Sequence, residues 1–250
     1  MRALSLVRVA LVATSLAAFS ACSDSTAPTP AIVTTDSLIA TMSTISSYGG
    51  GPTTLAGGTA ATGSPSSASK CTYNASNQRF ECAPHTANGL TMTMYFQYLS
   101  ASGQPLSSFS PSTVDAIRHV SDISGTISPP PGAQGGSITI TGHSDQTLSG
   151  LLSATQKQTG TSTTTTTFGG ITMTSVQTTD LTLPPRGSNG YPTGTIKITM
   201  TSTGTGAPST PIVMTMTFNG TSTVTFTYNG STCAMNLATP GVASTCTVGP

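Results

Sequence analysis

The feature that most constrains this chain is a two-residue alternation of apolar and polar side chains. Within 90–98, every second residue is apolar or aromatic, and the residues between them are Thr, Tyr or Gln. Because successive side chains of a β-strand point to opposite faces, this period predicts strands with one apolar and one polar face. The same pattern recurs at 138–140, 171–173, 196–200, 212–218 and 224–228.

Segments rich in Gly, Pro, Asn and Ser separate these strands at 129–132, 184–187 and 204–208. Consecutive strands with short turns and no convincing helix between them predict an antiparallel meander. We count roughly ten to twelve strands, more than a flat open sheet usually contains without curling. The chain is therefore predicted to be mainly β, with a single antiparallel meander domain at 70–250 that forms a curved sheet, a sandwich or a barrel.

Turn chemistry predicts the strand register near the C-terminus. The Asn-Gly pair at 229–230 predicts a two-residue hairpin, because both turn positions need a positive φ. This hairpin places Phe226 opposite Cys233, apolar on apolar. A four-residue turn at 238–241 then places Cys233 opposite Cys246, so parity alone predicts a disulfide between these two cysteines.

The loop after the strand at 212–218 needs a different length. A two-residue loop at Asn219-Gly220 would put the apolar residues of the two flanking strands on opposite faces. We therefore predict an odd loop or a bulge, which pairs Met216 with Val224 and Met214 with Phe226.

A second disulfide is predicted at the start of the β domain. A tight turn at 75–78 brings Cys71 opposite Cys82 and Tyr73 opposite Phe80. Zinc ligands usually come in pairs two to four residues apart, whereas ten residues separate Cys71 from Cys82 and twelve separate the other pair. Disulfides are therefore expected instead of a metal site, and no cofactor is predicted.

The N-terminal segment has the marks of a secretory signal peptide. It begins with Met1-Arg2, continues with an apolar run at 3–19 and ends with small residues before Cys22. The run is too short and interrupted to span a bilayer, which needs about 20 apolar residues. The sequence Ser20-Ala21-Cys22 resembles the lipobox of bacterial lipoproteins, although Phe19 stands where that family usually has an aliphatic residue.

The resemblance implies that residues 1–21 are removed and that Cys22 receives a diacylglycerol and tethers the chain to a membrane. The chain has five cysteines, and lipidation of Cys22 leaves an even set for disulfides. Ser23 lacks the aspartate that favours the inner membrane in enterobacterial lipoproteins, so the resemblance implies the outer membrane of the cell envelope more than the inner one. The alternatives are an ordinary cleaved signal with Cys22 as a spare thiol, or an uncleaved anchor.

Residues 22–69 are rich in Ser, Thr, Gly, Ala and Pro, which is typical of a solvated tether. Within them, Asp36 is placed to cap a short helix at 36–47, in which Leu38, Met42 and Ile45 share an apolar face. We expect this helix to pack against the β domain.

Composition argues against nucleic acid as a partner. The formal net charge is +1, with 6% charged residues. No basic patch is present to release counterions from a phosphate backbone.

No catalytic residues are predicted. His85, His119 and His143 occur singly, and His119 shares strand parity with Ile117 and Ile123, which predicts a packed, hydrogen-bonded side chain. In His143-Ser144-Asp145 neighbouring side chains point to opposite faces, so they cannot form a triad. A Ser-x-x-Lys motif at 67–70 has none of its partner motifs.

The acidic residues do not form a predicted acid–base pair either, since they lie in different segments. They are Glu81, Asp115, Asp122, Asp145 and Asp180.

Two surfaces remain as binding candidates. The first is the Met-rich apolar face of the strands, whose simplest interpretation is a core. The second is the opposite face, where threonines are densest at 163–167 and which is interpreted as solvated. We therefore expect a membrane-anchored envelope lipoprotein that is a non-enzymatic binding or structural module. The alternative is a carrier of a lipid-like or other apolar ligand in a cavity of the β domain, and an enzyme comes third.

Overall fold

The computed structural model describes residues 71–87, 89–128, 136–185, 188, 190–207, 209–228, 231–237 and 245–247. Several predicted features lie outside the described residues: the signal peptide at 1–21, Cys22, the tether at 22–69 with its helix, and the turns at 229–230 and 238–241. Contacts within the chain divide it into two units, Met1–Gly63 and Ser64–Pro250. Everything described here belongs to the second unit.

The described part of the chain is built from strands and turns, without a helix. Its long strands are rich in Thr, Val, Ile and aromatic residues, which fit an extended, half-buried backbone. The strands are Cys71–Asn74 (β1), Arg79–Cys82 (β2), His85–Ala87 (β3), Leu90–Leu99 (β4), Pro105–Leu106 (β5), Ala116–Ile127 (β6), Ile138–Ser149 (β7), Gln156–Phe168 (β8), Ile171–Leu183 (β9), Thr193–Thr203 (β10), Ile212–Asn219 (β11), Thr223–Tyr228 (β12), Ser231–Asn236 (β13) and Thr245–Thr247 (β14).

These strands form one antiparallel sheet of 14 strands. Along the sheet the strands follow their order in sequence, except that β3 and β5 are not on this path. There β4 lies between β2 and β6, and the short strands β3 and β5 also pair with β4. The described residues of β1 and β14, the two ends of the path, do not pair with each other, so the sheet is open. The predicted single antiparallel meander is confirmed, with more strands than expected because β3 and β5 are too short to show an alternation.

The register gives the sheet one apolar face throughout. Neighbouring strands place a continuous row of paired residues on one side, namely Phe80, Phe96, His119, Gln146, Gly160, Thr179, Ile196, Met216, Phe226 and Cys233. We call this side the apolar face. The intervening residues point to the other side and are mostly Thr, so we call that side the threonine face.

Most of the fully buried large side chains lie on the apolar face, whereas Val120, which is 1% exposed, lies on the threonine face between Tyr95 and Asp145. Leu181 and Val224 are 0% exposed and Phe226 is 1% exposed. Full burial of a side chain of this size stabilises the fold by about 1.5–3 kcal/mol. Near the β1 end, the rings of Phe80 and Phe96 stack with their centroids 4.9 Å apart. Most of the core of the sheet therefore lies along this one face.

The strand registers predicted from parity are confirmed at both ends. Cys71 pairs with Cys82 across the turn at 75–78. Phe226 lies opposite Cys233, and Cys233 lies opposite Cys246. Apolar residues thus meet on one face, as the alternation requires.

The pairing of β11 with β12 keeps the predicted parity but shifts by two residues. Met216 lies opposite Phe226, where we expected Val224, and Met214 lies opposite Tyr228, where we expected Phe226. The predicted odd loop is therefore confirmed, and the two predicted pairs are wrong.

The shift has a local cause in the loop. Oδ1 of Asn219 accepts hydrogen bonds from the backbone N–H of Thr221 at 3.1 Å and from its hydroxyl at 2.6 Å. Gly220 has φ +81°, which a glycine adopts without steric cost. The loop therefore closes early enough for Phe218 to pair with Val224, and the hairpin gains one more apolar pair.

Candidate functional site

The apolar face contains polar side chains where it crosses the central strands β6 to β9. The residues of this polar patch are His119, Ser121, Ser144, Gln146, Gln156, Gln158, Ser162, Thr164, Thr166, Ser175, Gln177 and Thr179. In the row that contains Gln146, the flanking residues on the adjacent strands are Phe96 of β4 and Ile196 of β10. The patch is therefore a polar island within an apolar surface.

Three glutamines of the polar patch are almost entirely buried. Gln146 is 9% exposed, Gln156 is 7% exposed and Gln158 is 3% exposed. Oε1 of Gln146, Nε2 of Gln156 and Oε1 of Gln158 have no hydrogen-bond partner in the described structure. A buried polar atom without a partner costs about 1–3 kcal/mol. Three such atoms in one place therefore need a physical explanation.

Gly160 creates the space in which Gln146 lies. The two residues are Cα partners across the β7–β8 ladder. A β-carbon on Gly160 would stand 2.8 Å from Cδ of Gln146, closer than packed carbon atoms approach. On the other side of Gly160, Thr179 is 3% exposed and accepts a hydrogen bond from Nε2 of Gln177 at 3.2 Å.

His119 is an exposed residue of the same row, between Phe96 and Gln146. It lies opposite Gln146 and keeps an exposed surface, while partial burial beside the apolar face lowers its pKa. The neutral ring is thus favoured. The predicted shared face with Ile117 and Ile123 is confirmed, but the ring is not packed away as predicted, and no hydrogen bond to it is found among the described residues.

The apolar face is electrostatically neutral. The described strands place no Lys, Arg, Asp or Glu on it. Charged residues of the central strands, such as Arg118, Asp145 and Lys197, lie on the threonine face. An ion buried in the polar patch would therefore lose its hydration without gaining a counter-charge.

The ion pairs of the threonine face involve the residues that resembled a triad in sequence. Nε of Arg118 donates to Oδ1 of Asp145 at 2.9 Å, and a second bond joins Nη2 to Oδ2. These hydrogen bonds lower the pKa of Asp145 and raise that of Arg118. His143 Nδ1 lies 2.7 Å from Oδ1 of Asp122. As predicted, Ser144 points to the other face, so no triad forms.

Glu81 is held by three side chains of the first hairpin. Nδ2 of Asn77 donates at 2.9 Å, Nε of Arg79 at 2.8 Å and Nδ2 of Asn74 at 3.1 Å. These hydrogen bonds, that from Asn77 first, lower the pKa of Glu81 to about 2. The carboxylate is therefore part of a structural turn network.

The other acidic residues stay apart. Asp115 accepts a hydrogen bond from the backbone N–H of Leu152 at 3.1 Å, and Asp180 lies on the threonine face of β9. In the described ranges, no group of three or more His, Cys, Asp or Glu is placed to hold a metal ion.

The structure shows one of the two predicted cysteine pairs as a disulfide. Cys71 and Cys82 form a disulfide. Cys233 is disulfide-bonded, and its Cα partner in the ladder is Cys246. The lipidation site predicted at Cys22 lies outside the described residues, as does the motif at 67–70.

The threonine-rich segment at 163–167 divides between the two faces. Thr165 lies on the threonine face and shares a hydrogen bond of 3.2 Å with Thr174. Thr164 and Thr166 lie on the apolar face, opposite Gly142 and Ile140 of β7. The interpretation of the whole segment as one solvated face is thus wrong, because successive residues of a strand point to opposite faces.

A carrier would need a cavity lined by Met and Ile. The pocket found at the β1–β2 end is an open depression of about 600 Å³ with mixed polar lining. Its walls are formed by Thr72, Tyr73, Asn74, Ala75, Glu81, Cys82 and Ala83. This pocket therefore does not provide the predicted apolar cavity.

The sequence signal for the buried glutamines lies in β8. Apart from Phe168, this strand has no apolar residue at either parity. A central strand of this kind must place polar residues on the apolar face. The Gly169–Gly170 pair, a hairpin signal, would have placed β8 beside β9.

No protein-family model, curated protein or solved structure matches this chain. Among the described residues, no helix is long and apolar enough to cross a membrane. Function must therefore be argued from the residues themselves.

Proposed function

We propose that this chain is a lipid-anchored protein of the bacterial cell envelope whose β domain is a non-enzymatic binding or structural module. Removal of residues 1–21 makes Cys22 the N-terminal residue, and the lipid on Cys22 anchors the chain in a membrane. The outer membrane is favoured over the inner one. The support for the anchor is the lipobox-like sequence before Cys22.

Disulfide bonding supports export to an oxidising compartment. Cys71 is bonded to Cys82, and Cys233 is also disulfide-bonded. Disulfides persist in oxidising compartments and are rare in the cytosol. If Cys246 is the partner of Cys233, as their register favours, Cys22 is the one cysteine of five left for a lipid.

The polar patch is the observation on which the binding role rests. Replacement of buried, unpaired polar groups by apolar groups of the same shape is often neutral or stabilising. Gln146, Gln156 and Gln158 therefore do not serve stability as they stand. A bound molecule that pairs with their amide atoms would remove the cost of leaving them unpaired.

The same observation favours a carrier as the second candidate function. An apolar surface with a few convergent polar groups is typical of sites for small molecules. Leu181 and Leu183 are buried beside the glutamines and make the surroundings of the polar patch apolar.

The anchor is tested by fractionation and mass. The wild-type chain should sediment with membranes and show the mass of a chain that starts at lipidated Cys22. The Cys22→Ala variant should lose the lipid and leave the membrane fraction, whereas the control Ser23→Ala should behave as wild type. An unlipidated wild-type mass would overturn the proposal.

The binding function is tested separately by native mass spectrometry of protein purified gently from membranes. An additional mass that is present in the native spectrum and lost on denaturation would identify a retained ligand. If no additional mass appears and no small molecule binds on titration, the carrier function is wrong and the structural role is favoured.

A further inference from the structure

We infer that the polar patch binds the head group of a neutral amphiphile, a primary carboxamide with an alkyl body. This inference rests on the carrier function proposed above and specifies the chemistry of its ligand.

The number and type of the unpaired atoms match one carboxamide. Oε1 of Gln146 and Oε1 of Gln158 are acceptors, and Nε2 of Gln156 is a donor. A primary amide offers two N–H donors and one carbonyl acceptor. Its nitrogen would donate to the two oxygens while its carbonyl accepts from Gln156. An alcohol has a single donor and would leave at least one oxygen unpaired.

The register brings the three glutamines within reach of one head group. Gln156 and Gln158 are two residues apart on the same face of β8, a repeat of about 6.7 Å. Gln146 pairs with Gly160 and is therefore the diagonal neighbour of Gln158, at about 7–8 Å between backbones. Gln156 is two residues further along β8, at about 14 Å from Gln146, so Gln158 lies between the other two glutamines. Flexible glutamine side chains bridge such distances by converging on a small group between them.

Charge on the surrounding face selects against ionic ligands. The described strands place no Lys, Arg, Asp or Glu on the apolar face. A carboxylate, phosphate or ammonium group would be desolvated there without an opposite charge. The head group that pairs with the glutamines is therefore neutral.

The neighbours of the glutamines favour an alkyl body. Gln158 lies between Leu148 and Leu181, and Gln156 lies opposite Leu183. His119, the exposed residue of the row, lies where the head group would enter from solvent.

The test uses the full chain in native mass spectrometry with decanamide, decanoate and decanol as probes. We expect decanamide to bind at least tenfold more tightly than decanoate or decanol, since an unpaired buried group costs about 1–3 kcal/mol. Gln158→Met and Gln146→Met should each weaken decanamide binding about tenfold or more. Gln97→Met, on the threonine face of β4, is the matched control and should bind as wild type.

Thermal unfolding of the ligand-free variants separates binding from folding. Gln158→Met should unfold at the same temperature as wild type or a higher one, because it removes an unpaired polar group. A lower unfolding temperature together with lost binding would assign a structural role to the glutamine and overturn the inference.

The two proposals fail in different ways. If decanoate or decanol binds as tightly as decanamide, the carrier function stands and the carboxamide class is wrong. Binding of decanamide that is unchanged in Gln158→Met places the ligand elsewhere and also overturns the inference. If none of the three probes binds, the carboxamide class is wrong, whereas the carrier function is decided by the retained mass in the native spectrum.

Discussion

Gln146 and Gly160 lie opposite each other on adjacent strands, and the amide of Gln146 occupies the space that a side chain on Gly160 would need. A β-carbon there would stand 2.8 Å from Cδ of Gln146 and 2.2 Å from the backbone oxygen of Asp145. The second contact is with backbone, which does not move as a flexible side chain does. Gly160 is therefore required by the packing of the central strands.

Gly160→Ala should lower the free energy of unfolding by about 1–3 kcal/mol, because the strand must shift to accept the extra carbon. Urea unfolding followed by circular dichroism measures the effect. Gly136→Ala is the control, since a β-carbon at Gly136 meets nothing within 4 Å, and its change should stay within about 0.5 kcal/mol. Equal effects of the two substitutions would contradict the packing described here.

The buried and exposed valines of neighbouring strands provide a matched test of the two faces. Val224 is 0% exposed on the apolar face, and Val213 is 39% exposed on the threonine face. Val224→Ala should cost about 2 kcal/mol in the free energy of unfolding, and Val213→Ala less than about 0.5 kcal/mol. Chemical unfolding of both variants would show the difference, and a reversed order would mean that the faces are wrongly assigned.

Glu81 should titrate at about pH 2 in the folded protein, as observed through its side-chain NMR signals. The pKa of Glu81 in the folded protein lies below its ordinary value of 4.5, so the contribution of Glu81 to stability is present above pH 4.5 and is lost as the pH falls toward about 2. Asn77→Ala should raise the pKa of Glu81, because the amide of Asn77 is the main cause of the shift. Gln104→Ala, which changes no contact of Glu81, should leave the titration as it is.

The Cys71–Cys82 disulfide should stabilise the fold mainly by restricting the unfolded chain. The two cysteines are 11 residues apart in sequence, and closure of such a loop contributes about 3 kcal/mol. The double variant Cys71→Ala/Cys82→Ala should therefore unfold at a lower denaturant concentration. A midpoint equal to that of wild type would show that the bond does not stabilise the fold.

Thiol labelling of the purified protein tests the complete cysteine scheme. We expect no free thiol at Cys71, Cys82, Cys233 or Cys246, because the first two are bonded to each other and the register places the last two opposite each other. Labelling of Cys246 alone would show that Cys233 has another partner.

The alternation predicted the fold class well because hydrophobic burial on one face is a local property of each strand. The hairpin containing Phe226 and Cys233 was predicted to the residue, since an Asn-Gly turn permits few geometries. The loop after β11 was predicted in parity only. Its length depends on the hydrogen bonds of Asn219 with Thr221, and an apolar–polar pattern contains no information on such bonds.

The polar patch could not be predicted by the same reasoning. Apolar periodicity cannot indicate the buried face of a strand that has almost no apolar residues, such as β8. The sequence therefore indicates only a solvated threonine segment at 163–167. Burial of Gln156 and Gln158 depends on the neighbours that β7 and β9 supply from either side. Such tertiary context becomes visible only when the strands are assembled.

The composition of β8 also has a consequence for how the protein folds. Since its two faces are almost equally polar, a slip of one residue along β7 would cost β8 itself little hydrophobic energy. The tight turn at Gly169–Gly170, with φ +57° and +81°, limits such slips against β9, and the fit of Gln146 over Gly160 limits them against β7. We therefore expect β8 to take its register from β7 and β9 after these two strands have formed. The centre of the sheet then forms late in folding.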